Sequence, residues 1–410
     1  MTDTTEQTCV VIGASHAGGQ LAESVRRAGW GGRILVIGDE PYLPYHRPPL
    51  SKDFLAGKKS VDNIVIKPAA VYEKLDVEFK LNTRVESIDR ASKTLVLSDG
   101  TTQSYDKLAL ALGARVRKVP IPGSDKKGVY YLRTIDDIES IRPYVGEGKS
   151  AVIVGGGYIG LETAAALRKM GMEVTVIEMM PRVLQRVTAP EISAFYTRVH
   201  QEEGVKIVTD AAVEAIEGGE AASAVVCKDG STYPAELVII GAGIVPNVEL
   251  AEAAGIALEG GAIAVNEFAT TNDPDIVAAG DCTYHFNPIY DRWIRLESVQ
   301  NAIDQAKIAG AAVCGTTNVY SQLPWFWSDQ YDLKLQIAGL SQGFDNTVIR
   351  GDIEHGRKFA AFYFVGDKLV AVDAVNMPQA FMMGKRLLLA GTAVDKAKLA
   401  DETVDLKSLL

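Results

Sequence analysis

No two of the four cysteines stand close together. Cys9, Cys227, Cys282 and Cys314 form no C-x-x-C pair. Zinc sites, iron–sulfur clusters and thioredoxin-type redox centres all need close cysteine spacing in at least part of the site. The chain therefore reads as four reduced thiols and no metal. A basic excess is missing too: 42 Lys and Arg stand against 52 Asp and Glu, a net charge of −10. That disfavours nucleic acid as a partner, since phosphate neutralisation needs a basic face. No apolar run reaches the ~18–20 residues of a membrane span; the longest, such as residues 237–245, have the length of buried strands. The first eight residues carry Asp3 and Glu6 but no Lys or Arg, unlike a secretory or transit segment. No membrane association and a cytoplasmic location are expected.

What is present is glycine at strand ends. The 410 residues hold 38 of them, and a chain of this length predicts two or three domains. Residues 9–13 are an apolar run closing on Gly13, a helical pattern covers 17–28, and 34–37 are apolar again. The same strand–turn–helix–strand pattern returns at 151–154, 155–157, 158–170 and 174–177. Each copy reads as the start of an α/β domain. Asp99-Gly100 and Asp229-Gly230 follow short apolar runs and predict hairpins. Past residue 323 the texture changes. Alternation at 333–337, 347–350, 359–365 and 369–372 predicts an antiparallel sheet, with a helix near 379–389.

Gly155-Gly156-Gly157-Tyr158-Ile159-Gly160 fits G-x-G-x-x-G between a strand and a helix. The first Gly permits the tight turn, the second lets backbone N–H groups approach a pyrophosphate, and the third lets helix and strand pack closely. Glu178, at the end of the next strand, can accept hydrogen bonds from a ribose with two free hydroxyls. Arg182 nearby is of the type that accommodates a 2′-phosphate. The first unit reads Gly13-Ala14-Ser15-His16-Ala17-Gly18, with Ser15 in place of the middle Gly. Gly38 aligns with Glu178, and Asp39 follows it. A third signal, residues 271–281, is a short apolar strand ending in Gly280-Asp281. It resembles the second FAD-binding motif of two-dinucleotide flavoproteins, in which the Asp binds the ribityl chain or pyrophosphate.

Together these signals resemble the pyridine nucleotide–disulfide oxidoreductase superfamily, and within it the ferredoxin reductases of bacterial oxygenase systems, the putidaredoxin reductase type. The residues that carry the resemblance are 38–52 (GDEPYLPYHRPPLSK), 131–134, 155–162, 182–184 with 186–190, 291–293, 297–299 and 325–331 (WFWSDQY). The expected fold is α/β: two Rossmann-like domains and an α+β C-terminal domain. The FAD domain spans 1–114 and 245–322, the NAD domain 115–244 is inserted between its halves, and the C-terminal interface domain spans 323–410. Disulfide reductases of the superfamily place cysteine beside the flavin; here the comparable loop, Arg47-Pro-Pro-Leu-Ser-Lys52, has none. Electrons delivered as hydride must then leave the flavin directly for a separate acceptor, which the resemblance implies is a [2Fe–2S] ferredoxin serving a cytochrome P450 or a dioxygenase.

The resemblance also implies roles. For FAD it points to Gly13, Ser15, Ala17, Gly18, Asp39, Lys52, Val85, Arg133, Asp281 and Val299. For NAD it points to Gly155, Gly157, Tyr158, Ile159, Gly160, Glu178 and Gly243. Lys52 matches the lysine near flavin N5 and Glu162 its carboxylate partner. Tyr158 is either a ring over the flavin or core packing; Trp327 is either an aromatic at the flavin edge or an interdomain core residue. Arg292, Arg295, Lys307 and Lys334 are the candidates for docking an acidic ferredoxin to an acidic chain. A monomer or weak dimer is expected. Rival readings are a rubredoxin reductase or NADH oxidase on the same fold, or a redox-sensing flavoprotein without catalytic output.

Overall fold

The computed structural model describes residues 4–410. They form two compact units. One comprises the chain up to His46, Asp62–Arg115 and Ile244–Pro324; the other comprises Arg47–Val61, Val116–Gly243 and Trp325–Leu410.

The first unit is built on a five-stranded parallel sheet in the order Ile276–Ala278, Lys107–Leu110, Thr8–Ile12, Arg33–Ile37, Val77–Lys80. Its central strands are continuous apolar runs because both faces are covered. Cys9, Val11, Ile34 and Val36 face a core shared with the helices His16–Arg27 and Val299–Val313. Val10, Ile12, Leu35 and Ile37 face the opposite core, which includes Val85, Leu95 and Leu97 of a three-stranded antiparallel sheet. The two helices approach closely: a Cβ on Gly310 would stand 2.5 Å from that of Ser24.

The second unit repeats the design. Its parallel sheet runs Lys206–Val208, Glu173–Ile177, Ser150–Val154, Leu237–Ile240, Val129–Tyr130. Here too one face meets a small antiparallel sheet, through Val152, Val238, Ile216 and Val225. Both Asp-Gly hairpins form as expected. The segment Arg47–Val61 belongs here because Arg47 Nη1 donates to the Arg133 carbonyl at 2.7 Å and the Arg142 guanidinium lies 4.5 Å over the Phe54 ring.

The last 86 residues of this unit, from Trp325 on, hold a five-stranded antiparallel sheet in the order Trp325–Gln330, Leu333–Gly339, Lys368–Val375, Lys358–Val365, Asn346–Asp352. Four of these strands cover the alternating stretches; the fifth is the tryptophan-rich run itself, whose alternation is masked by three consecutive aromatics. Helix Pro378–Ala390 covers the sheet and ends on Gly391 in the left-handed region, φ 65°. Gly384 lets it close on Val372, whose Cγ1 would lie 2.5 Å from an added Cβ.

One acid is enclosed in this packing. Asp373, 1% exposed, accepts from the Tyr363 hydroxyl at 2.6 Å. That hydroxyl also meets Thr188 Oγ1 at 3.2 Å and accepts from the Ala189 N–H at 3.3 Å. Burial pushes the Asp373 carboxyl up to about 7. A carboxyl raised from its ordinary value of 3.8 holds its proton in the folded chain where the unfolded chain has lost it. Its contribution is therefore full below about pH 4 and is lost as the pH rises to about 7. Relative to Asp373→Asn, the wild type should lose stability over that window, on the order of 3 kcal/mol. Denaturant titrations of both proteins from pH 4 to 8 would show it; a constant difference across the range would refute it.

Candidate functional site

Both parallel sheets end in the same glycine construction. Gly13 follows the strand Thr8–Ile12 with φ +110°, and a Cβ there would stand 2.1 Å from the Ala111 carbonyl oxygen. Gly155 follows Ser150–Val154 with φ +113°, and its Cβ would meet the Gly241 oxygen at 2.4 Å. In each case the crowding atom follows the neighbouring strand across the point where strand order reverses, which is where open α/β sheets bind ligands. The helix glycines match as well: an added Cβ on Gly18 would lie 1.7 Å from the Gly13 oxygen, and one on Gly160 would lie 2.2 Å from the Gly155 oxygen. Gly157 differs. Nothing in the protein lies within 4 Å of where its Cβ would be, so packing does not require this glycine. The bare backbone at the start of helix Tyr158–Lys169 leaves room for a pyrophosphate at the positive helix end. Ser15 occupies the equivalent N-cap position before His16–Arg27.

The acidic position explains why the two units differ in sequence. Glu178 accepts from the Gly156 N–H through Oε2 at 2.7 Å and from the Met180 N–H through Oε1 at 2.8 Å. Gly156 makes room for it, since a Cβ there would lie 3.2 Å from that oxygen. In the first unit the exchange is reversed: Ala14 fills the space, and Gly38 yields, its Cβ falling 2.5 Å from that of Ala14. The acid is displaced to Asp39, which is exposed and 3.2 Å from Arg84. Arg182 is spent locally. It donates to the carbonyls of Thr188 and Gln185 and to Ser193 Oγ.

The Gly280-Asp281 turn joins the first cradle. Gly280 has φ +91°, and its Cβ would lie 3.2 Å from that of Ala17 and 3.8 Å from that of Ala302. Its N–H donates to Gln305 Oε1, as does Thr283 Oγ1. Gln305 Nε2 is buried with no hydrogen-bond partner among the described residues. Val299 opens the helix capped by Ser298, whose side chain accepts from the Asn301 N–H. A cradle closed to any Cβ, an unspent buried donor and an open helix end are what FAD needs from these residues, and they fit it. Val85 is buried in the strand Val85–Asp89. Lys52 and Arg133 lie in the second unit, the other expected FAD residues in the first.

In the second unit Lys52 Nζ lies 2.6 Å from Glu162 Oε2. Glu162, 6% exposed, also accepts from Ser51 Oγ at 2.8 Å and from Ser328 Oγ at 2.6 Å. The two serines stand inside the stretches 38–52 and 325–331, but the sequence assigned them no role. Tyr158 packs its ring on Phe326, centroids 5.1 Å apart, with its hydroxyl buried. Ile159 is exposed and Gly243 has open space at its Cβ, with φ +89°. Trp327 is half-buried between Trp325 and Phe326. Of the docking candidates, Arg295 pairs with Glu297 at 3.0 Å and Lys307 with Asp304 at 2.9 Å, Arg292 lies over the Tyr290 ring, and Lys334 is exposed on Leu333–Gly339.

The cysteines are far from thiolates. Burial pushes Cys9 up to about 12 and Cys282 up to about 11, and raises Cys227 and Cys314 as well. A reactive cysteine needs the opposite shift.

Residues 7–306 match the family described as pyridine nucleotide-disulphide oxidoreductase, and residues 325–410 match one described as reductase C-terminal. The chain is 41% identical to putidaredoxin reductase CamA of Pseudomonas putida over 407 residues, covering 98% of this chain and 96% of that protein. It is 40% identical to the ferredoxin–NAD(+) reductase component of the anthranilate 1,2-dioxygenase system of Burkholderia cepacia over 402 residues, covering 98% of each. Among solved structures it resembles the covalent putidaredoxin reductase–putidaredoxin complex, with a TM-score of 0.95 and 40% identity over 99% of this chain and 98% of that one.

Glu178 is the residue expected to set the nucleotide preference. Its carboxylate would accept from a free 2′-OH and repel a 2′-phosphate, and Arg182 is engaged elsewhere. One charged hydrogen bond contributes about 1.5–3 kcal/mol, so NADH should be preferred by roughly tenfold to a hundredfold, and Glu178→Ala should erase most of that margin. Flavin bleaching rates with the two nucleotides measure it; equal rates in the wild type would remove Glu178 from this role.

Proposed function

From the premise that the chain belongs to the pyridine nucleotide-disulphide oxidoreductase family, we propose that it is an NADH-dependent ferredoxin reductase. FAD, when bound, accepts hydride from NADH and delivers single electrons to a [2Fe–2S] ferredoxin. The observation that carries this reading is the presence of two glycine cradles, one per parallel sheet, in a chain whose thiols are all held far from ionisation. Two dinucleotides have places to bind, and cysteine has no part in passing electrons between them.

Each residue then has a task. Gly13, Ser15, Ala17, Gly18, Asp39, Val85, Arg133, Asp281 and Val299 serve FAD. Gly155, Gly157, Tyr158, Ile159, Gly160, Glu178 and Gly243 serve NAD. Lys52 serves flavin N5, and Glu162 holds its ammonium. The helix from Val299 offers its positive end to negative charge on the reduced cofactor. Trp327 serves the flavin edge. The three-domain division at 1–114 with 245–322, 115–244 and 323–410 belongs to the same proposal. So do a cytoplasmic setting and a ferredoxin that feeds a cytochrome P450 or a dioxygenase. No helix among the described residues is long and apolar enough to cross a membrane.

Anaerobic NADH should bleach the flavin, and an added [2Fe–2S] ferredoxin should restore its colour far faster than oxygen or rubredoxin does. Faster return with oxygen would favour an oxidase. The surface charges provide a second test. Lys307 and Arg295 are paired with acids, whereas Lys334 has no ion partner among the described residues and lies on the last unit's sheet. Lys334→Glu should raise the KM for ferredoxin about two- to fivefold at low salt and flatten its salt dependence, with bleaching by NADH unaltered. If neither KM nor salt slope moves, docking uses another face.

A further inference from the structure

The stretch Trp325–Gln330 holds polar residues with no task in the proposed function. Phe326, Ser328 and Gln330 share one face of that strand. Phe326 meets Tyr158 and Ser328 meets Glu162, and Tyr158 and Glu162 lie one helical turn apart on Tyr158–Lys169. Two strand residues rise ~6.7 Å and four helical residues ~6 Å, so strand and helix stay in step. Beyond Ser328 the contacts go on inward. Gln330 Nε2 lies 3.2 Å from Ser328 Oγ, Gln330 Oε1 lies 2.8 Å from His200 Nε2, and His200 Nδ1 lies 3.1 Å from the Tyr331 hydroxyl. Ser328 and His200 are fully buried and Gln330 is 2% exposed.

Chemistry fixes every direction in this series. The Glu162 carboxylate, in its salt bridge with Lys52, only accepts, so Ser328 must donate to it. Ser328 Oγ then accepts from the Gln330 amide nitrogen, which turns the amide oxygen to His200. An amide oxygen cannot donate, so His200 carries its hydrogen on Nε2. The unprotonated Nδ1 accepts from Tyr331. Burial holds the imidazole neutral, pushing it down to about 4. Tyr331 reaches it from a hairpin tip with φ 54°, a rare conformation for a bulky residue.

We propose that Tyr331, His200, Gln330 and Ser328 form a one-way hydrogen-bond chain that holds Glu162 against Lys52, with His200 as a positioning residue of the flavin-side pair. The proposal rests on the reading of Lys52 and Glu162 given above. Proton conduction is not its function, because passing a proton through an amide would require the imidic acid. Instead, each donor polarises the next, and the last oxygen in the series is the one that fixes the carboxylate.

The test uses the FAD-loaded protein. With 15N-labelled histidine, the His200 resonances, identified by their loss in His200→Gln, should show a protonated Nε2 and a bare Nδ1. A hydrogen on Nδ1 would overturn the proposal. In stopped-flow bleaching, Ser328→Ala, Gln330→Met and His200→Leu should each slow the saturating rate by about two- to tenfold, with the apparent Kd for NADH unmoved. His200→Gln, which can donate to Gln330 and accept from Tyr331, should recover most of that loss. His200→Leu combined with Ser328→Ala should be no slower than Ser328→Ala alone. Multiplicative losses, or His200→Gln as slow as His200→Leu, would refute the chain. Gln330→Met keeps the volume nearly constant and carries the same comparison if His200→Leu does not fold. Lys52→Met separates the two readings: bleaching at the wild-type rate would overturn the role of Lys52 and the positioning role with it. The histidine tautomer would still decide whether the chain exists.

Discussion

A nearly buried carboxylate needs several donors, and the second unit is organised around giving Glu162 three. Lys52 Nζ and Ser51 Oγ reach one oxygen, and Ser328 Oγ reaches the other. These come from segments more than a hundred residues away in either direction. Removing one partner would leave the charge short of a donor in a poorly hydrated place, which costs more than the bond itself contributes. The loop Arg47–Val61 and the strand Trp325–Gln330 therefore have fixed places on the helix Tyr158–Lys169. The arginine contacts of that loop, Arg47 to Arg133 and Arg142 to Phe54, keep it in the same unit.

The glycine cradles follow a different logic. They depend on exclusion, since a methyl group at Gly13, Gly18, Gly155 or Gly160 would collide with a backbone oxygen. The two copies are not identical, and the difference is compensated. Ala14 with Gly38 and Gly156 with Glu178 fill the same space from opposite sides of the crevice. The first unit thereby loses the acid at that position and the second retains one, which fits two nucleotides with different needs at the adenosine end.

Buried polar groups elsewhere show the same accounting. Burial pushes the Asp373 carboxyl up to about 7, against the hydroxyl bonds from the packing around Tyr363, which favour its charged form. His200 stays neutral because burial outweighs its bond to Gln330, which favours the charged ring. Both groups lie in the second unit, yet only His200 connects through hydrogen bonds to Glu162. That difference makes one a contribution to stability and the other a contribution to site geometry.

The sequence by itself determined what depends on local backbone geometry and on period. Residues 9–13 and 151–157 announce cradles because only glycine tolerates those φ values and close approaches, and the apolar runs beside them announce buried parallel strands. The Asp-Gly hairpins and most of the C-terminal sheet were readable for the same reason, while Trp325–Gln330 was not, because its aromatics hid the alternation. The Lys52–Glu162 pair came into view through family resemblance, not through spacing. Only the tertiary structure decided who completes it. Ser51, Ser328, Gln330 and His200 carry no local signal, because a hydrogen bond has no period and its direction is set by the ionisation of the group at its end. His200 is 130 residues from Gln330, and its tautomer follows from a carboxylate it does not touch.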